Sequence, residues 1–86
     1  NGDTVIDLCA GSGALTIQKW NENHNQRFLL YELDENVIPY LLYNLAIRNI
    51  EATVMRGDVL KNEVYESWEV KKGEKYGKCI AIKSTL

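Results

Sequence analysis

Thr4-Val5-Ile6-Asp7-Leu8-Cys9-Ala10-Gly11-Ser12-Gly13 is the stretch on which the fold turns. Its first five residues form a short apolar run, the pattern of a strand buried on both faces in a parallel sheet. A Gly-x-Gly turn ends the run. Residues 14–20 then carry apolar side chains at 14, 15, 17 and 20, a helical spacing. Strand, glycine turn and helix together open an α/β unit.

Outward from there the same grammar repeats. After a polar loop over 21–26, Arg27-Phe28-Leu29-Leu30-Tyr31-Glu32 is a second strand, broken at 33–36. Ile38, Leu41, Leu42 and Leu45 recur at i, i+3, i+4 and i+7, the clearest helix signal in the chain. With Asn36 as N-cap, Pro39 falls in the first turn, where its missing N–H costs nothing. The helix is expected to end near Arg48-Asn49, and 52–56 forms a third strand ending at Gly57-Asp58. Two readings compete over 62–72. Early glutamates, late lysines and Gly73 just beyond suit a helix with a glycine C-cap. Val64-Tyr65, Trp68 and Val70 also suit one arm of a hairpin turning at 71–74. The helix is favoured here, and 79–82 is a last short strand. The pattern is an α/β domain with a parallel sheet, β-α-β-α-β plus one helix and a short strand. Right-handed crossovers would place strand one centrally, with strands two and three to one side. Unless the last strand covers it, strand one keeps an open apolar edge of the kind that invites aggregation. The chain is therefore expected to be part of a larger sheet.

Composition narrows the class. The 86 residues fall short of the roughly 100–200 of a typical domain. Apolar residues make up 45% and charged residues 26%, which argues against a disordered tail. Cys9 and Cys79 make no disulfide framework, so a reducing compartment, the cytoplasm, is expected. No apolar run is long enough to span a bilayer, and no signal segment follows Asn1. Formal charge is −4 over residues 1–60 and +2 over 61–86, with no basic footprint for nucleic acid. Any surface contacting DNA or RNA is expected outside these residues.

Three carboxylates stand at three successive strand ends. Asp7 precedes the glycine turn, whose residues permit close backbone approach and whose helix start offers unpaired N–H groups. Glu32 lies 19 positions after Gly13, close to the ~20-residue spacing at which nucleotide folds place a carboxylate for ribose hydroxyls. Asp58 follows strand three, where it can accept a hydrogen bond from an adenine amino group. Each has a plainer reading. The turn can be a simple strand-to-helix loop, Glu32 a solvated strand end, and Asp58 a turn residue after Gly57. Three together favour a ligand edge. Position 16 is threonine, so the dinucleotide fingerprint is incomplete, and no Lys-Ser/Thr pair makes a phosphate loop. Asp7 would repel a pyrophosphate and suits a ribose-bearing ligand with a cationic or ammonium end.

Asp7-Leu8-Cys9-Ala10-Gly11-Ser12-Gly13, Tyr31-Glu32-Leu33-Asp34-Glu35, Tyr43-Asn44-Leu45-Ala46-Ile47-Arg48-Asn49-Ile50 and Gly57-Asp58-Val59-Leu60 occur in this order. Together they resemble the S-adenosylmethionine-binding half of N6-adenine DNA methyltransferases, nearest the modification subunits of type I and related restriction–modification systems. The resemblance covers residues 2–60 and implies a partial Rossmann-like methyltransferase sheet. It implies that the loop Asp7, Cys9, Ala10, Gly11, Ser12 and Gly13 holds the amino-acid part of S-adenosylmethionine. Glu32 would serve the ribose hydroxyls and Asp58 the adenine amino group, with Leu33 and Val59 as further cofactor-binding residues. Asp34 is expected to cap rather than to bind. Residues 1–60 would be the cofactor unit and 61–86 its continuation. The family's Asn/Asp-Pro-Pro-Tyr/Phe motif, whose aromatic ring stacks on a flipped base, is absent, because Pro39 is the only proline. Where it would stand, the sequence reads Lys83-Ser84-Thr85-Leu86.

The implied parent is thus a methyltransferase acting on DNA through regions outside this chain, with a specificity subunit or domain as a further partner. No catalytic residue is assigned within the 86, and no metal or membrane is implied. A same-fold enzyme acting on RNA or another amino group is the first alternative. A non-catalytic nucleotide-sensing module is the second. The remaining residues read plainly. His24 is exposed surface, Cys9 a small buried residue under the loop, and Cys79 core. Trp20 and Trp68 fill core or cover partner surface rather than stack on bases, and the six lysines after Leu60 form a solvated face.

Overall fold

A computed structural model of the protein describes residues 4–82. Seven elements follow one another: β1 (Thr4–Asp7), α1 (Ala14–Glu22), β2 (Arg27–Glu32), α2 (Ile38–Ile47), β3 (Ala52–Asp58), β4 (Glu63–Lys71) and β5 (Lys78–Ile82). They make an α/β fold with one mixed sheet in the order β1-β2-β3-β4-β5. β1, β2 and β3 are parallel, while β4 runs antiparallel to both β3 and β5. β1 is an end strand among the described residues, because β5 pairs with β4 and does not cover it, so β1 keeps the open edge expected when the last strand lies elsewhere. No described helix is long and apolar enough to cross a membrane. Residues 83–86, where the family's proline motif would stand, lie outside the described range.

The core lies between the sheet and the helices. Phe28, Leu30, Val54 and Val70 meet Ile38, Leu41 and Leu45 of α2, all of them buried, with Ile17 and Trp20 of α1 packed against them. Each fully buried leucine contributes on the order of 1.5–3 kcal/mol. Both helices therefore cover one face of the sheet, and strand alternation sends Ile6, Leu29, Tyr31 and Ile80 to the other face. Both tryptophans pack against the core cluster, and the ring of exposed His24 stacks on Trp20 at 3.8 Å.

α2 keeps the face that its periodicity predicts but not its cap. The N-cap is Val37, and no side chain caps it. Asp34 builds the turn instead: its carboxylate accepts the Asn36 N–H at 2.9 Å and its carbonyl accepts the Val37 N–H at 3.0 Å. Asn36 is held as a donor in that turn and does not cap. At the other end the Ile50 N–H reaches the Leu45 carbonyl and the Asn49 N–H reaches Ala46, both at 3.0 Å. Asn49 takes φ 57°, so the end is a Schellman motif with asparagine where glycine is usual. The Asn49 amide then exchanges two 3.0 Å hydrogen bonds with the backbone of Gly73.

That exchange corrects the helix expected over 62–72. The segment is strand β4, and Gly73 lies in the β4–β5 connection, pinned to the end of α2. Trp68 and Val70 pair with Val54 and Ala52 and share their buried face, so alternation outweighs the helix-like order of charges. Gly57 makes the pairing possible, because a Cβ there would fall onto the Glu63 carbonyl oxygen. The all-parallel expectation fails for the same reason. Cys79 is exposed rather than core. Its thiol nevertheless lies 3.9 Å from the Leu42 carbonyl, and partial burial pushes its pKa up.

Gly57→Ala should loosen the β3–β4 hairpin and lower stability by about 1–3 kcal/mol, as overpacking does, measured by urea unfolding. Thr16 is buried with a hydroxyl that has no partner among the described residues. Thr16→Val should raise stability by about 1 kcal/mol in the same assay, since an unpaired buried hydroxyl is replaced by a methyl of similar shape.

Candidate functional site

Parallel strands bring Asp7, Glu32 and Asp58 to one edge of the sheet, the carboxyl ends of β1, β2 and β3. Open α/β sheets bind ligands in crevices along this edge. Leu8 to Gly13 forms the loop between β1 and α1. The Ala10 N–H donates to the Tyr31 carbonyl at 2.9 Å, which carries the β1–β2 pairing one step into the loop.

Glu32 organises this edge. It is only 9% exposed, and a buried carboxylate must be paired to be tolerated. Its Oε1 accepts the Gly11 N–H at 2.7 Å and its Oε2 accepts the Asp34 N–H at 3.0 Å. One side chain thus ties the glycine loop to the loop before α2. Each oxygen keeps further acceptor capacity, because an ionised carboxylate offers about four lone-pair sites. Asp7 stays closer to its own turn, where Oδ1 accepts the Cys9 N–H at 3.0 Å. Cys9 itself is exposed, not buried under the loop as the sequence suggested, because the Asp7 turn lifts it to the rim.

The two loop glycines have different neighbours. Gly11 (φ 56°) faces open space, with nothing within 4 Å of a Cβ built there. Gly13 (φ 93°) packs on α2, and a Cβ would sit 2.9 Å from Leu41 Cδ1. Gly13 is also the N-cap of α1, where no side chain caps the helix and no acidic residue stands in the first turn. The leading N–H groups of α1 therefore face the loop without a side-chain acceptor. Asn44, on α2, donates from Nδ2 to the Ser12 carbonyl at 2.9 Å. The sequence marks Asn44 only as a polar residue inside the apolar run of α2.

Asp58 belongs to the same edge but makes no hydrogen bond to Glu32 or Asp7. Its Oδ1 accepts the N–H groups of Leu60 and Lys61 at 3.0 and 3.3 Å, building the turn into β4. With Val59 and Leu8 it borders a cavity of about 240 Å³ on the face away from the helices, lined also by Ile6, Tyr31 and Val64. Leu33, next to Glu32 in the chain, is exposed. The structure thus joins the glycine loop to Glu32 directly, and sets Asp58 and Val59 across the edge from them.

One charged cluster went unread in the sequence. Arg56 donates from Nε to Glu66 at 2.7 Å, and its guanidinium lies 4.9 Å above the Tyr65 ring. The hairpin brings these residues together, so no local motif marks them. Among the described residues no group of three or more His, Cys, Asp or Glu is placed to hold a metal ion. Comparison with protein-family models, curated proteins and solved structures finds no match to this chain.

Gly13→Ala should cost more stability than Gly11→Ala in urea unfolding. Both take on a left-handed alanine, at about 1–2 kcal/mol, but only the former also drives a methyl into Leu41.

Proposed function

We propose that this chain is the S-adenosylmethionine-binding portion of a DNA adenine-N6 methyltransferase. The observation that carries the reading is Glu32, a buried carboxylate at the end of β2 that holds the Gly11 amide and retains acceptor capacity at the ligand edge. A ribose diol offers two donors to such a group. Under this reading β1 to β3, with α1 and α2, form the cofactor half of a Rossmann-like methyltransferase sheet.

The residues fit the cofactor on structural grounds. Open space at Gly11 admits a ligand against the backbone. The uncapped start of α1 suits the carboxylate of an amino acid, and Asp7 suits its ammonium. Asp58 retains an oxygen free of hydrogen bonds among the described residues, an acceptor for the adenine amino group. Leu33 and Val59, both exposed beside these acids, offer apolar contact to the base. When bound, the cofactor supplies an electrophilic methyl group. This chain's residues orient it and keep the ribose and amino-acid ends in place, since alignment is most of what such a transfer requires. The acceptor amine, DNA contacts and any specificity subunit belong to other parts of the parent protein.

The same geometry serves an enzyme acting on RNA or a nucleotide-sensing module, and binding separates these readings only from unrelated ones. Titration of S-adenosylmethionine and S-adenosylhomocysteine into the chain by calorimetry should show binding. Glu32→Gln should lower affinity by about tenfold or more, the effect of losing hydrogen bonds to a charged group, with circular dichroism confirming the fold. The chain alone should transfer no methyl group to DNA. A folded wild-type chain that binds neither ligand overturns the assignment.

A further inference from the structure

We propose that Glu66 controls the acceptor strength of Glu32 by holding the Arg56 guanidinium away from it. The proposal rests on the reading of Glu32 as a ligand acceptor. Arg56 is the register partner of Glu32 across β2–β3 and of Glu66 across β3–β4. Register partners share a face and lie on strands about 4.8 Å apart. Two residues back along each strand, Leu30 and Val54 are fully buried beneath the helices, so Glu32 and Arg56 start out on that same face. A single arginine therefore stands between two carboxylates.

Two contacts decide which carboxylate it takes. Glu66 receives Nε at 2.7 Å, and Tyr65 lies under the guanidinium at 4.9 Å. Tyr65 owes its place to the irregularity between Arg56 and Gly57. There the partner residue jumps from Glu66 to Val64, leaving Tyr65 as the extra residue of β4. Neither Nη of Arg56 makes a hydrogen bond among the described residues. Glu32 is left to backbone N–H donors alone. Without the Glu66 charge, Glu32 is the neighbouring anion in the row, and an arginine fork engages a carboxylate through two parallel bonds. Those bonds would consume the lone pairs that a ribose diol requires. Glu66 is thus a positioning residue acting through Arg56.

The test is a double-mutant cycle on the full chain with S-adenosylhomocysteine as the calorimetric probe. Glu66→Gln should weaken binding by about tenfold, and Arg56→Gln added to it should restore affinity to within about twofold of wild type. A pair that merely braces the hairpin predicts the opposite, with the double variant as weak as the single one, and that result overturns the proposal. A ligand-free readout separates its failure from failure of the cofactor reading. The Glu32 carboxyl-carbon and Gly11 amide resonances should shift in Glu66→Gln and return in the double variant. Unmoved resonances overturn the proposal whether or not the probe binds. Tyr65→Leu keeps Glu66 and should shift both resonances the same way by less; if Glu66→Gln does not fold, an unshifted Tyr65→Leu overturns it.

Discussion

The hydrogen bond from the Gly11 amide to the Glu32 carboxylate is the constraint around which this edge of the molecule is arranged. Burial makes an unpaired carboxylate expensive, so Glu32 recruits donors from two loops separated by α1 and β2. Gly11 can present its N–H from a left-handed backbone because it carries no side chain. Gly13 then brings the loop against Leu41, and Asn44 holds Ser12 from the same helix. α2 therefore supports the loop sterically and by a hydrogen bond, while its own start is set by Asp34, whose N–H is Glu32's second donor.

The antiparallel hairpin of β4 and β5 determines what lies beside that edge. β4 turns back immediately after Asp58, so Asp58 spends one carboxylate oxygen on the turn. The same pairing carries Glu66 and Tyr65 up to Arg56. Two antiparallel steps leave β5 running in the direction of β3, so its last residues return toward the edge where Asp58 and Glu32 stand. The Asn49–Gly73 exchange fastens this hairpin to the end of α2. Helix and hairpin thereby share one core through Leu45, Ile50 and Val70.

Legibility followed locality. The i, i+3, i+4, i+7 pattern of Ile38, Leu41, Leu42 and Leu45 marks α2 because helical packing depends on residues close in sequence. The alternation that makes β4 a strand is as visible, but its meaning depends on Val54 and Ala52, far back in the chain. Glutamates before lysines and a following Gly73 offered an equally local account of the same residues, and pairing overrode it. Cys79 and Cys9 differ from their sequence expectation for a related reason. Both sit beside apolar residues in sequence, yet one occupies the outermost strand and the other a lifted turn.

The sequence by itself determined the three strand-end acids, the glycine turn, both helices and the direction of β1 to β3. Short crossovers and apolar periodicity leave few other arrangements for those residues. Only the tertiary structure decided that Glu32 is strapped to Gly11 and that Arg56 turns toward Glu66. Each depends on which backbones lie within hydrogen-bonding reach after the sheet has formed. Such neighbours are set by register across strands, a quantity that no local pattern of residues encodes.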